Sequence, residues 1–139
     1  MEFNELSYLL VIAVAWAVSH TIKALIGIVK NNKFSFKYYV DSGGMPSAHT
    51  ATTVSLTTLI GLNESISSPV FALAVVLLII VAYDATHVRR AVGEQGELLR
   101  KSLKNGEKQP YFALGHTPFQ VFIGALIGLA IGVATYYLI

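Results

Sequence analysis

Gly43-Gly44-Met45-Pro46-Ser47-Ala48-His49-Thr50-Ala51-Thr52-Thr53-Val54-Ser55-Leu56-Thr57-Thr58-Leu59-Ile60-Gly61-Leu62 decides whether the chain reads as three helices or four. Thr50, Thr52, Thr53, Ser55, Thr57 and Thr58 lower its hydropathy, so a search for apolar runs passes over it. It nevertheless contains no Lys, Arg, Asp or Glu, and Pro46 suits the first turn of a helix. The stretch therefore reads as a helix over 46–62, enclosed by its neighbours rather than facing lipid.

Those neighbours lie on both sides in the sequence. The 139-residue chain is 54% hydrophobic and 13% charged, too apolar for a soluble domain of this size. Its charges are segregated, which leaves runs that meet the requirement of roughly 20 apolar residues per spanning helix. Spans are expected at 6–29, 69–84 and 117–139, joined by the polar span at 46–62. The fold class is an all-α integral membrane protein, one domain over 1–139 with about four transmembrane helices. The absence of cysteine excludes disulfides and thiolate metal sites.

The first run begins with Glu2 and Glu5 instead of a basic region, so it is expected to be retained rather than cleaved as a signal peptide. Residues 85–104 form a partly amphipathic helix with Glu97 and Lys101 paired at i,i+4 and a stop at Asn105-Gly106. This helix lies at the membrane surface or prolongs the third span. Lys30, Lys33 and Lys37 follow the first span, and Arg89, Arg90, Arg100, Lys101, Lys104 and Lys108 follow the third. The loop after the second span offers only Glu64, so the positive-inside rule puts both termini outside and the 43–49 and 89–116 loops on the cytoplasmic face of a multi-pass cell-membrane protein.

Two histidines stand at helix starts on that face: His49 in the 46–62 span and His116 in Gly115-His116-Thr117-Pro118. Two imidazoles can supply a nucleophile and an acid. Gly43 and Gly44 reach backbone angles closed to other residues, and the free amides of a helix start attract anions. Gly44, the Ser47 hydroxyl and the helix dipole are thus candidate phosphate ligands, with His49 one turn inside.

Pro46-Ser47-Ala48-His49 resembles the Pro-Ser-Gly-His motif of the type-2 phosphatidic acid phosphatase superfamily, relatives of the membrane acid phosphatases and vanadium haloperoxidases. Gly115-His116-Thr117-Pro118-Phe119-Gln120 resembles the end of its third motif. The longer phrase Gly-Gly-Met-Pro-Ser-Ala-His-Thr, with Tyr83-Asp84-Ala85 and Val88-Arg89-Arg90, is similar to the divergent membrane branch of that superfamily. The resemblance implies a lipid phosphatase without metal or cofactor. His116 would attack phosphorus and form a phosphohistidine, while His49 would protonate the leaving alkoxide and then activate water. Arg90, and with it Arg89, would hold phosphate oxygens, and Lys23 would stand for the first motif's lysine.

The sequence departs from the standard pattern in stated ways. The Lys-x6-Arg-Pro motif is absent, although Lys30 and Lys37 keep its spacing. Residues 91–115 separate Arg90 from His116, which requires the chain to fold back. Gln120 stands where an aspartate would orient the nucleophile, and its amide oxygen is expected to accept the imidazole hydrogen.

His20 and Lys23 share a face of the first span, where an ionisable side chain usually has a partner or a task. Lys23 is read as a site residue and His20 as making a structural hydrogen bond. Asp84 and His87 read as pairing groups that position Arg90, rather than as a metal cluster with His49 and His116. Gly124, Gly128 and Gly132 make a small-residue stripe suited to close helix approach within the chain or across a homodimer. The shielding that a polar second helix needs tips that reading towards a homodimer. Tyr136 and Tyr137 read as an interfacial belt.

The substrate expected is a phosphorylated lipid in the bilayer, phosphatidylglycerophosphate being favoured by the cytoplasmic placement; no nucleic-acid partner is expected. The alternative is a non-catalytic membrane protein that binds or moves phosphorylated lipids. An ion channel, suggested by the threonines of the second span, has less support, since helix packing also explains them.

Overall fold

The computed structural model describes residues 5–31, 44–103 and 115–139. Lys33, Lys37, Gly43, Lys104, Lys108 and the Asn105-Gly106 stop lie outside the described residues. The described chain is all helical: α1 (Glu5–Asn31), α2 (Ala48–Asn63), α3 (Pro69–Tyr83), a π-helical turn (Asp84–Val88), α4 (Arg89–Ser102) and α5 (Pro118–Leu138). Because the π turn joins α3 to α4 without a break, four separate helices result. The amphipathic segment thus prolongs the third span as far as Ser102.

Among the described residues, three helices are long and apolar enough to cross a membrane: Leu6–Lys30, Pro69–Ser102 and Pro118–Leu138. Their outward faces carry large apolar side chains such as Leu9, Trp16, Leu73, Ile79, Phe122 and Leu129.

α2 occupies the middle. It packs on α5 most extensively, then on α1 and α3. Polar as it is, Thr50, Ser55 and Thr57 are buried with Ala51 and Leu59. Its hydroxyls are satisfied by its own backbone: Thr53 Oγ1 donates to the His49 carbonyl at 3.0 Å, Ser55 to Thr52 at 2.9 Å and Thr57 to Thr53 at 2.7 Å. Such back-bonding removes the penalty of burying a hydroxyl. Thr57 also reaches the Ala74 carbonyl of α3 at 3.4 Å.

The glycine stripe of α5 lies against α2. A Cβ on Gly124 would meet the Ser47 carbonyl oxygen at 2.5 Å, and one on Gly132 would meet Thr58 Cβ at 2.7 Å. At Gly128 the obstacle would be the Ala51 carbonyl. The stripe is therefore used inside the chain, and α2 has neighbours on three sides, so neither feature argues for a second copy.

At the far end from the histidines, Tyr8 of α1 donates to Glu64 Oε1 at 2.8 Å and accepts from Asn63 Nδ2 at 2.5 Å. This cluster ties the start of α1 to the end of α2.

Candidate active site

The sequence reading started α2 at Pro46, but Ser47 is the N-cap and the helix begins at Ala48. The Ser47 hydroxyl accepts the Thr50 N–H at 3.5 Å and shares a hydrogen bond with Thr50 Oγ1 at 2.9 Å. Fully buried and occupied as a cap, Ser47 does not line the cavity beside His49, where it had been expected as a phosphate donor. Gly44 has φ +88°, a conformation that suits glycine, and stays exposed.

The start of α5 is built in the same manner. Thr117 Oγ1 accepts the Gln120 N–H at 3.3 Å while Gln120 Oε1 accepts the Thr117 N–H at 3.0 Å, a complete capping box. Gln120 Oε1, expected to accept the imidazole hydrogen of His116, accepts this backbone amide, and the Gln120 side chain also hydrogen-bonds the His116 imidazole. The two helix starts are joined where the Ser47 N–H donates to the Gln120 carbonyl at 3.2 Å.

The π turn supplies the remaining wall. In this register the Arg89 N–H reaches the Asp84 carbonyl, five residues back, which stacks residue 89 over residue 84. The side chains pair accordingly, Arg89 Nε to Asp84 Oδ2 at 2.6 Å. Arg90, the arginine preferred from sequence, points elsewhere and pairs with Glu94 at 3.1 Å on the exposed side of α4. Successive helical residues point about 100° apart, so only one of the two arginines can face a given cavity. Asp84 positions Arg89 and not Arg90.

His116 reaches the same place from a later part of the chain. Its main-chain N–H donates to the Ala85 carbonyl at 2.9 Å. Gly115 passes so close to the Arg90 backbone that any side chain there would collide with it. This crossing is the fold-back that the distance between Arg90 and His116 demanded.

One cavity of about 140 Å³ gathers these groups, lined by His49, Ile80, Val81, Asp84, Ala85, Arg89 and His116. His49 is exposed to it while His116 is only 3% exposed. His116 Nδ1 is buried and makes no hydrogen bond to a described residue. Burial holds the His116 imidazole below the usual histidine range, and the Lys23 charge lowers it further. The Gln120 side chain and the Gly44 carbonyl push the other way, and His49 adds to the lowering. His116 is thus neutral at neutral pH, the form with a free lone pair.

Lys23 is buried in α1, 8% exposed, and its charge acts on both His49 and His116 without lining the cavity itself. His20 bonds the Trp16 carbonyl through Nδ1 at 3.0 Å and stacks on the Trp16 ring. His87 stacks on Tyr83 and bonds Thr86 at 2.8 Å, outside the cavity wall. Among the described residues no group of three or more His, Asp or Glu is placed to hold a metal ion.

The sequence reading missed Ile80, Val81 and Ala85 in the cavity wall. Nothing marks an apolar wall residue in sequence, but Gly115 directly before His116 was a usable sign of close backbone approach. Together the groups offer an anion one guanidinium, a neutral buried imidazole, an exposed imidazole and a nearby buried ammonium.

Residues 5–131 match the model of the divergent PAP2 family. The chain is also 29% identical over 137 residues to the uncharacterized membrane protein YuiD of Bacillus subtilis (strain 168), a match covering 86% of this chain and 87% of that protein. No solved structure matches it significantly. A family match that takes in every described helix, from the start of α1 into α5, means that this membrane protein belongs to the divergent PAP2 family.

Proposed function

We propose that this protein is a membrane phosphatase that removes phosphate from a lipid by way of a phosphohistidine. The observation that carries this reading is the convergence of His49, His116 and Arg89 on one cavity at one end of the bundle. α2 is taken as the fourth span, its polar face covered by α1, α3 and α5.

Neutral His116 attacks phosphorus in line and the ester oxygen leaves, taking a proton from His49. His49 then removes a proton from water, which attacks the phosphohistidine and releases inorganic phosphate. Arg89, steered by Asp84, balances the charge that develops on the phosphoryl oxygens, and Lys23 adds a positive field from α1. No step uses a metal.

Lys30 ends α1, and Arg89, Arg90, Arg100 and Lys101 follow α3, so on this reading the positive-inside rule favours the cytoplasmic face for the site. There it meets newly made lipid phosphates, of which phosphatidylglycerophosphate is favoured. The test is phosphate release from phosphatidylglycerophosphate and phosphatidate by purified protein in detergent with chelator, beside His116→Ala. Release that survives chelation and is lost in the variant is expected; release by His116→Ala at the wild-type rate would overturn the assignment.

A second reading, binding or movement of phosphorylated lipids without chemistry, is favoured by Gln120. Gln120 carries no negative charge, so its hydrogen bond supports a protonated His116 imidazole less than a carboxylate would. On that reading His116→Ala retains lipid affinity, and no variant or substrate gives turnover.

A further inference from the structure

Between α3 and α4 the hydrogen-bond ladder changes step. The Asp84 N–H still reaches the Ile80 carbonyl, four residues back, whereas the Arg89 N–H reaches the Asp84 carbonyl, five back. The Ala85 carbonyl, which an α-helix would pair with the Arg89 N–H, receives the His116 N–H instead. This step decides what stands over Asp84. In the π register it is Arg89; in an unbroken α-helix it would be Val88, with the guanidinium turned about 100° away. Whatever holds the register therefore chooses whether the cavity contains an arginine.

The docked His116 segment holds the turn at Ala85. Away from the cavity, three further contacts meet at Thr86. Its Oγ1 donates to the Ala82 carbonyl at 2.9 Å, with the Tyr83 carbonyl a more distant acceptor at 3.4 Å. The hydroxyl has a single hydrogen, so in its 2.8 Å bond with His87 it accepts from Nδ1–H. The His87 ring lies in turn on Tyr83, with centroids 4.3 Å apart and planes within 8° of parallel. Tyr83, Thr86 and His87 do not line the cavity, so none of these contacts serves it directly. A hydroxyl that bonds a carbonyl one turn earlier competes with the main-chain ladder and bends the helix there. Ala82 lies between Ile80, an acceptor in the four-residue step, and Asp84, an acceptor in the five-residue step.

We propose that Thr86 is a positioning residue: its hydroxyl, oriented by His87, holds the π register and so keeps Arg89 over the cavity. Turnover serves as a readout only on the function proposed above; the register itself does not depend on that reading.

The test uses the full-length protein in detergent with one lipid phosphate. Thr86→Val removes the hydroxyl at nearly constant volume and is expected to lower kcat roughly threefold to tenfold, the range that loss of one hydrogen bond supports. Thr86→Ser keeps the hydroxyl and should stay within about twofold of wild type. His87→Phe keeps a ring against Tyr83 without the Nδ1 donor and should lower kcat by a smaller factor. In an Arg89→Ala background Thr86→Val should change turnover less than about twofold, since the group it aims is gone. An equal fractional loss in that background, a Ser variant as impaired as the Val variant, or wild-type turnover in Thr86→Val would overturn the proposal. Wild-type turnover in His87→Phe would overturn the part given to His87.

The register is also read without turnover. The chain has three arginines and one tryptophan, so their side-chain N–H signals are few in an NMR spectrum, and that of Arg89 is assigned by its loss in Arg89→Ala. Held by Asp84 at 2.6 Å, the Arg89 Nε–H should exchange slowly with water. Thr86→Val is expected to speed this exchange at least about threefold while the Trp16 indole signal stays in place, and Thr86→Ser to leave both unchanged. Unchanged exchange in Thr86→Val would overturn the proposal, and so would a displaced Trp16 signal, which would give Thr86 a general structural role. If no lipid releases phosphate, the phosphatase reading alone fails, and the exchange rates decide the register.

Discussion

The main-chain N–H of His116 donates to the carbonyl of Ala85 at 2.9 Å, so the buried imidazole is suspended from the π-helical turn that also aims Arg89. The proposed nucleophile and the proposed phosphate ligand, which lie far apart in sequence, are fixed to the same backbone feature. A disturbance of that turn moves both.

Gly115 is where the crossing is tightest. Its Cβ would lie 2.8 Å from the Arg89 carbonyl carbon and closer still to the Arg90 backbone, atoms that cannot swing aside. Gly115→Ala is expected to cost about 1–3 kcal/mol of stability, the usual range for forced overpacking. Phosphate release should fall further than the stability loss explains, as seen by comparing thermal unfolding in detergent with turnover at a temperature where the variant is folded.

The arginines should separate cleanly. Arg89→Ala removes the guanidinium that lines the cavity and is expected to lower kcat by roughly 10²–10³, as for loss of one donor to a developing oxyanion. Arg90→Ala removes only an exposed pair with Glu94 and should stay within a few-fold of wild type. Steady-state kinetics on one lipid phosphate decides between them, and equal losses would contradict the role given to the π turn.

His116 has a defined pH signature. Burial and the Lys23 charge depress its pKa, so the acid limb of phosphate release should have its midpoint below the ordinary histidine value of about 6.5. Lys23→Met removes a positive neighbour and should move that limb upward. The same depression links to stability: the unfolded chain takes up the proton first as pH falls through about 6.5, so the contribution of neutral His116 is lost between there and its lower native pKa. Rate profiles and unfolding at matched pH values measure the two effects.

The glycine stripe supports a test of internal packing against association. Gly128→Leu drives a side chain into the Ala51 carbonyl and should destabilise the monomer fold by several kcal/mol. A variant that unfolds at the wild-type temperature but changes its oligomeric state would instead assign the stripe to a second copy.

Gln120→Ala opens the capping box and should cost about 1 kcal/mol, the common price of a lost N-terminal cap. It should also lower the His116 pKa further, because the Gln120 side chain favours the protonated imidazole. NMR titration of His116 reads that shift directly.

Much of this fold was legible because the bilayer constrains it so strongly. Runs such as Val70–Val81 admit no other reading, and Pro118 and Thr117 announce the start of α5 within a residue. The polar α2 was recovered from Pro46 and the absence of charge, not from hydropathy. The choice between Arg89 and Arg90 was not legible, since it depends on a π turn whose Asp-Ala-Thr-His-Val sequence has no compositional mark. Nor was the capping by Ser47 and Gln120, because a residue that can bind an anion or a neighbouring imidazole can equally cap a helix. Only the geometry of the first turn separates those uses.

The back-bonded hydroxyls of α2 bear on how the molecule is made. A 16-residue helix rich in threonine is too short and too polar to partition into a membrane by itself, whereas α1, α3 and α5 are recognisable to an insertion machinery one at a time. If α2 is the fourth span, as proposed, it enters with a companion, and the short connection through Ser65–Ser68 makes α3 the nearest. Until α5 arrives, the carbonyls of Ser47 and Ala51 have no glycine surface against them. The site is consequently assembled after α1, α2 and α3, since His116 and the helix that completes the bundle follow them in chain order.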